Sequence, residues 1–257
     1  MSKTIAIIPA RYSSSRFPGK PLALITGKTM IERVYERTIQ AKKIDEVIVA
    51  TEDQRIIDCV LSFGGNAVLT SDKHNSGTDR VFEASKGFNA DYILNIQGDE
   101  PLVSPNLIDS LAEAIQNSDF DCATPIIRIY NLTEYLNPNF VKVTKSITGK
   151  ALYFSRSPIP YVRGNSFDVG NFDCEKFFIE NNFYSHIGLY AYKYKSLEKF
   201  SLLPESNYEH YEALEQLRML ENGMNLLCVE TTHKACAVDV PSDVSKTEEI
   251  MKKMGIK

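Results

Sequence analysis

Thr4-Ile-Ala-Ile-Ile-Pro-Ala-Arg-Tyr-Ser-Ser-Ser-Arg-Phe-Pro-Gly-Lys-Pro-Leu22 joins a buried-type strand to a loop that carries three cations. Thr4 to Ile8 is the short apolar run of a central parallel strand, and Pro9 then turns the chain out of the sheet. Ser13, Ser14 and Ser15, with exposed backbone N–H groups, suit hydrogen bonds to phosphate oxygens, while Arg11, Arg16 and Lys20 would neutralise them. Arginine offers a planar fork and lysine a point charge, so the set fits several non-equivalent phosphates. The bland alternative is a solvated basic turn. Against it stands the position of the loop directly after a buried-type strand, where open α/β sheets place their ligand crevices. The spacing excludes two familiar phosphate loops: a Walker A loop would need Gly at 14 and Ser or Thr at 21, where Ser14 and Pro21 stand, and a dinucleotide fingerprint needs more glycines than Gly19.

Outward from this loop the chain reads as a βαβ series. Strand-like runs at 4–8, 46–51, 66–69 and 91–96 alternate with helical periodicity at about 29–42, 53–63 and 78–88. Right-handed crossovers then predict an α/β fold with a mostly parallel sheet, helices on both faces and one rim of strand-end loops. Beyond a helix at about 105–117 the pattern becomes α+β, with strands at 122–130, 141–146, 151–155 and 185–193. The Gly-, Asn-, Asp- and Phe-rich stretch 164–183 reads as a loop or flap. An amphipathic helix starts near Tyr208, most of whose charges read as a solvated face, and a strand at about 226–230 and a helix at about 242–254 close the chain. No linker is visible, so 1–257 reads as one unit: a nucleotide-binding half over about 1–120, a second half over about 121–225, and a return to the core at 226–257.

Composition narrows the function. The 257 residues carry 29 Lys and Arg against 33 Asp and Glu, a formal net charge of −4. An acidic protein with one local cationic loop is no general nucleic-acid or membrane-surface binder, so its partner should be small. Cysteines at 59, 122, 174, 228 and 236 show no CxxC spacing and no paired framework, which fits a reducing compartment and disfavours zinc. The first strand follows Met1-Ser2-Lys3 without a signal-type apolar stretch, and no apolar run is long enough to insert in a membrane. The expectation is a cytoplasmic protein.

Several polar groups compete for chemistry. Asp99, in Gln97-Gly-Asp-Glu-Pro101, ends a buried strand and is placed to hold Mg²⁺, which takes one or two carboxylates together with substrate phosphates. A turn that merely satisfies its own backbone is the rival. His74-Asn-Ser-Gly-Thr-Asp-Arg80 opens a helix: Thr78 or Ser76 can cap it, whereas capping accounts for neither Arg80 nor His74. Arg156 ends an apolar strand before two prolines, and it is equally a surface arginine or a partner for a substrate carboxylate. His186 heads an alternating strand, where a lone histidine is more often structural. Asp239, in Ala-Val-Asp-Val-Pro, ends a strand and offers either a second metal carboxylate or a helix cap.

Together these segments resemble the CMP-3-deoxy-manno-octulosonate synthetases, also called 3-deoxy-manno-octulosonate cytidylyltransferases, nearly end to end. The resemblance rests on residues 9–22, 74–80, 97–101, Tyr153 to Pro160, His186 to Tyr190, Leu214 to Arg218, and Val238-Asp239. It implies the Rossmann-like fold of nucleotide-diphospho-sugar transferases, with the second half binding sugar and forming a homodimer. It implies CTP and an acidic 2-keto-3-deoxy sugar as substrates, CMP-sugar and pyrophosphate as products, Mg²⁺ as cofactor, and service to lipopolysaccharide or capsule synthesis. By analogy Arg16, Lys20 and Asp99 are catalytic. Ala10, Arg11, Ser14, Ser15, Arg16, Lys20, Ser76, Gly77, Arg80 and Gln97 bind CTP; Arg156, His186, Tyr190, Glu215 and Gln216 face the sugar; Asp99 and Asp239 hold the metal. CMP transfer to an amino analogue or a sialic-acid type of sugar, and nucleotidyl transfer to a sugar phosphate, are the neighbouring readings. Two departures stand out: Val240 where the family usually has threonine, and extra phenylalanine-rich residues between Arg163 and His186, which read as a reshaped sugar lid or an extended dimer contact.

Overall fold

The computed structural model describes residues 2–14, 16–74, 76–163 and 174–256. Ser15 and the 164–173 part of the predicted flap lie outside the described residues. The first half runs β1 (Thr4–Ala10), β2 (Leu24–Ile25), β3 (Lys28–Thr29), α1 (Met30–Thr38), β4 (Glu46–Thr51), α2 (Gln54–Ser62), β5 (Ala67–Leu69), α3 (Gly77–Ser85), β6 (Tyr92–Asn95) and α4 (Pro105–Gln116). The second runs β7 (Cys122–Ile129), α5 (Leu132–Leu136), β8 (Lys142–Lys145), β9 (Ala151–Ser155), α6 (Cys174–Glu180), β10 (Phe183–His186), β11 (Tyr190–Lys193), α7 (Tyr194–Ser201), α8 (Asn207–Glu212), α9 (Gln216–Glu221), β12 (Leu226–Thr231) and α10 (Pro241–Lys253).

One mixed sheet takes strands from both halves, in the order β5-β4-β1-β6-β11-β7-β10-β8-β9, with β12 on β7. Pairing is parallel from β5 through β6 and between β7 and β12, and antiparallel elsewhere. The join between the halves is the ladder of β6 with β11, Tyr190 lying opposite Asn95. The predicted strand 185–193 is divided: β10 and β11 both pair with β7, at different ends of it, and Ile187 to Leu189 step out between them.

Alternation along β1 fixes the layers. Ile5 and Ile7 face one core, shared with Val81 of α3 and with Leu197 and Phe200 of α7. Ala6 and Ile8 face the other, shared with Val34 of α1, Val60 of α2 and Leu111 of α4. All but Ala6 are large side chains that are fully buried, and each contributes roughly 1.5–3 kcal/mol through removal from water. Helices on both faces leave the ends of β1, β4 and β6 as one open rim.

Two predicted elements differ. The helix read from Tyr208 is broken at Ala213, which takes a left-handed conformation with φ 50° between α8 and α9. The break turns the charges inward: Arg218 is buried and donates to Glu209 Oε2 at 2.7 Å, so these are not a solvated face. Within the predicted flap, residues 174–180 form α6 instead, and Phe178 and Phe183 pack with Tyr135 and Ile129 in a satellite core. An amphipathic turn hidden in a Gly- and Asn-rich stretch needs that neighbouring apolar surface to become helix.

Candidate active site

An open cleft of about 440 Å³ lies on the rim, between the loop after β1 and the loop after β6. Of the residues that the resemblance assigns to CTP or the metal, Ala10, Arg11, Ser14, Arg16, Lys20, Gly77, Gln97 and Asp99 line it, together with Pro9, Ser13, Pro21 and Gly98. The loop is pinned at Tyr12. Its carbonyl accepts the Gly19 N–H at 2.8 Å, its N–H donates to Glu52 Oε1 at 3.1 Å, and the Arg55 guanidinium stacks 3.4 Å from its ring centroid. Gly19 sits at φ 71°, left-handed backbone that favours glycine. Gly98 serves another purpose: a Cβ there would lie 2.7 Å from the Pro9 carbonyl oxygen, so glycine lets the two rim loops touch.

Charge is paired across this contact. Lys20 Nζ lies 2.7 Å from Asp99 Oδ2 and 3.7 Å from Asp239 Oδ1, and Arg16 Nη2 lies 2.9 Å from the same Asp239 oxygen. One ammonium thus touches both carboxylates, which places Asp99 and Asp239 within reach of a single cation. Among the described residues no group of three or more His, Cys, Asp or Glu is arranged to hold a metal. Two hard carboxylates beside a phosphate-sized cationic loop fit Mg²⁺, which completes its octahedron with phosphate oxygens and water. Arg11 lines the cleft and has a buried Nη2 with no hydrogen-bond partner among the described residues. Next to Asp99, burial and then the nearby Asp99 and Asp239 charges push the Glu100 carboxyl up to about 7, although its bond from the Cys236 N–H pulls the other way.

Other expected residues stand behind the cleft. Arg80 is 1% exposed and does not line it: Nη2 pairs with Glu52 Oε2 at 2.8 Å and Nη1 donates to Thr70. Its burial penalises a free charge, so a carboxylate partner directly after β4 is the better solution than a solvent-facing ligand contact. Ser76 caps α3 through the Asp79 N–H, and Asp79 returns a bond to the Ser76 N–H. His74 contacts Glu83. Asp239 does not end a strand; it lies in the irregular 232–240 segment between β12 and α10. Val240 has no hydroxyl to cap α10, and Asp243 Oδ2 accepts the N–H groups of both Asp239 and Val240 at 3.1 Å.

Four of the residues assigned to the sugar, His186, Tyr190, Glu215 and Gln216, form a connected and largely buried series running away from Gly77. Thr78 donates to Glu215 Oε1 at 2.6 Å, Gln216 follows in sequence, Tyr190 donates to Gln216 Oε1 at 3.2 Å, and the Tyr190 ring lies 5.5 Å from that of His186. Burial raises the pKa of Glu215 and of Tyr190, favouring their protonated forms. Gln216 Nε2 and Asn95 Oδ1 are buried without partners among the described residues. His186 bonds Thr124 Oγ1 at 2.8 Å and also borders a second cavity of about 460 Å³, whose wall includes Lys234 and Ala237. Arg156 is occupied by backbone: Nε donates to the Glu212 carbonyl at 2.7 Å and Nη1 to that of Pro138 at 3.2 Å.

Sequence reasoning missed Glu52 and Asn95. Glu52 follows a rim strand as Asp99 does, and that position was the available signal. Asn95, whose Nδ2 donates to Thr78 at 3.2 Å, stood out only as a polar residue within an apolar run.

A two-faced α/β sheet with a cationic loop set against a carboxylate pair at its strand ends is the framework of a nucleotidyltransferase. Residues 5–226 match the cytidylyltransferase family, and the chain belongs to it, among the 3-deoxy-manno-octulosonate cytidylyltransferases. The 3-deoxy-manno-octulosonate cytidylyltransferase of Thermodesulfovibrio yellowstonii is 46% identical over 96% of this chain and 98% of its own. That of Geobacter sulfurreducens is 45% identical over the same shares. A solved structure of CMP:2-keto-3-deoxy-manno-octonic acid synthetase complexed with CTP superposes with a TM-score of 0.89 at 40% identity, covering 98% of this chain and all of the other. A cytidylyltransferase from Leptospira borgpetersenii, 16% identical with a TM-score of 0.65 over 98% of this chain and 88% of its own, shares the fold.

Proposed function

We propose that the protein transfers a cytidylyl group from CTP to the 2-hydroxyl of 3-deoxy-D-manno-octulosonate, giving the CMP-sugar and pyrophosphate. The single observation behind this reading is the Lys20 ammonium held between Asp99 and Asp239 on the edge of the cationic cleft. The sugar oxygen attacks the α-phosphorus as the bond to pyrophosphate breaks, so catalysis is positioning and charge neutralisation. Arg11, Arg16 and Lys20 neutralise the triphosphate and the departing pyrophosphate. Ala10, Ser14, Ser15, Gly77 and Gln97 seat the nucleotide, with Arg80 and Ser76 fixing the elements behind them. Asp99 and Asp239 would hold Mg²⁺, which when bound neutralises phosphate charge and polarises the phosphoryl oxygens. The wall formed by His186, Tyr190, Glu215 and Gln216 offers the donors and acceptors that a polyhydroxy acid requires, and Gln216 Nε2 is a donor in want of an acceptor. Arg156 steadies that wall through the Glu212 and Pro138 carbonyls.

The product would feed lipopolysaccharide or capsule assembly from the cytoplasm, and the working unit would be a homodimer. Among the described residues no helix is long and apolar enough to cross a membrane. Pyrophosphate release from CTP across a panel of acidic sugars, with and without chelator, tests the reading. Turnover should be greatest with 3-deoxy-D-manno-octulosonate, vanish with chelator and return with Mg²⁺. Preference for the amino analogue or a sialic acid would reassign the sugar, and activity confined to sugar 1-phosphates would overturn the proposal.

A further inference from the structure

The geometry points to Glu100 as the positioning residue that fixes Asp239 opposite Asp99; this inference rests on the reading of those two aspartates as the metal carboxylates. The Asp239 segment has little structure of its own. Residues 232–240 connect β12 to α10 without helix or strand, and such a segment holds a carboxylate in place only as well as its backbone is tied. Two ties come from adjacent residues of the loop after β6. The Asp99 carbonyl accepts the Val238 N–H at 2.9 Å, and Glu100 Oε2 accepts the Cys236 N–H at 2.9 Å. They take alternate amides of the incoming segment, as one strand takes another, but one of the two acceptors is a side chain.

Backbone alone would hold Val238, whose side chain is also fully buried against Leu102, Met30 and Met251. Cys236 is held less firmly, its side chain only partly buried against the same cluster. Its ties are the Glu100 carboxylate and a weak Sγ contact to Thr247 Oγ1 at 3.6 Å. Glu100 is itself 7% exposed, so its direction is set by packing, and a buried carboxylate that accepts a backbone N–H is a strong tether. On the far side of Asp239, Asp243 grips the outgoing N–H groups. Glu100 therefore controls the arm along which Asp239 arrives, and the same short loop presents both Asp99 and the holder of Asp239. Residues that orient metal carboxylates in this way alter affinity by about 10–100-fold when removed.

The test compares Glu100→Ala, which removes the acceptor, with Glu100→Gln, which keeps one, and with Asp239→Asn as a check on the underlying metal reading. Mn²⁺ binding in the presence of CTP, followed by the electron paramagnetic resonance of free Mn²⁺, is read beside kcat and the Mg²⁺ concentration for half-maximal rate. Glu100→Ala should weaken Mn²⁺ binding and raise the Mg²⁺ requirement by about 10–100-fold, and Glu100→Gln should restore both to within about threefold, as an amide oxygen accepts the same N–H. Equal impairment in Ala and Gln, or an unchanged metal requirement in Ala while Asp239→Asn raises it, would overturn the inference. An unchanged requirement in Asp239→Asn would instead overturn the metal reading. Amide exchange in the wild-type protein gives a check independent of whether the variants fold: the Cys236 N–H should be protected, and free exchange at that amide would overturn the tether.

Discussion

At the smallest scale the proposed function rests on Asp99 and Lys20, which lie 2.7 Å apart and on that proposal serve different ligands, so kinetics can tell their roles apart. Asp99→Asn keeps the shape but removes a charge that the proposed Mg²⁺ site would need. Turnover should fall by about 100-fold or more while the thermal midpoint stays within a few degrees, measured by pyrophosphate release and differential scanning calorimetry; near-normal turnover would remove Asp99 from the site. Lys20→Ala deletes a charged donor to phosphate worth roughly 1.5–3 kcal/mol. That corresponds to about a 10–100-fold loss in kcat/KM for CTP with the sugar KM little changed, and equal losses for both substrates would argue against a triphosphate role.

The contact between the loops after β1 and β6 belongs to the scale of elements. Gly98→Ala places a Cβ 2.7 Å from the Pro9 carbonyl, which is backbone and cannot rotate away. The loops must separate, at a cost of about 1–3 kcal/mol. Since Pro9 leads into Ala10 and Arg11, KM for CTP should rise together with the loss of stability in urea unfolding. A variant that lost stability without any change in KM would show that the contact serves only the fold. The sequence shows the glycine beside Asp99 but not its neighbour, the backbone of another loop. Periodicity reports which faces are apolar and leaves open which loops meet.

Whole-molecule stability is tied to pH through His186. Its ring bonds Thr124 and lies edge-on to Phe154 with centroids 5.0 Å apart, and burial holds it neutral, with its pKa lowered from 6.5 to about 3. Above pH 6.5 neither folded nor unfolded chain protonates this residue. As pH falls from 6.5 towards 3 the unfolded chain takes up a proton that the native protein refuses, so stability drops through that window. By pH 5 the loss should be about 1–2 kcal/mol. Urea unfolding of wild type and His186→Asn at about pH 7.5 and pH 5 checks this; the variant should show a shallower acid loss, and parallel losses would mean that His186 is not the responsible group.

The alternation of Ile5 and Ile7 with Ala6 and Ile8, the recurrence of helical periods after each strand, and the cations of residues 11–20 determined the sheet, its rim and the cationic loop. Those signals are local, because a strand's two faces and a loop's charges are written in consecutive residues. Tertiary structure alone decided that Arg80 turns inward to Glu52, that Arg218 leaves the solvated face for Glu209, and that Asp239 comes within reach of Asp99 through bonds from Glu100 and the Asp99 carbonyl. Two of those outcomes join groups far apart in sequence, 28 residues for Glu52 and Arg80 and 136 for Glu100 and Cys236, and the third joins Glu209 to Arg218 across the break at Ala213. The local pattern of residues contains neither a distant partner nor the direction the chain takes after a break.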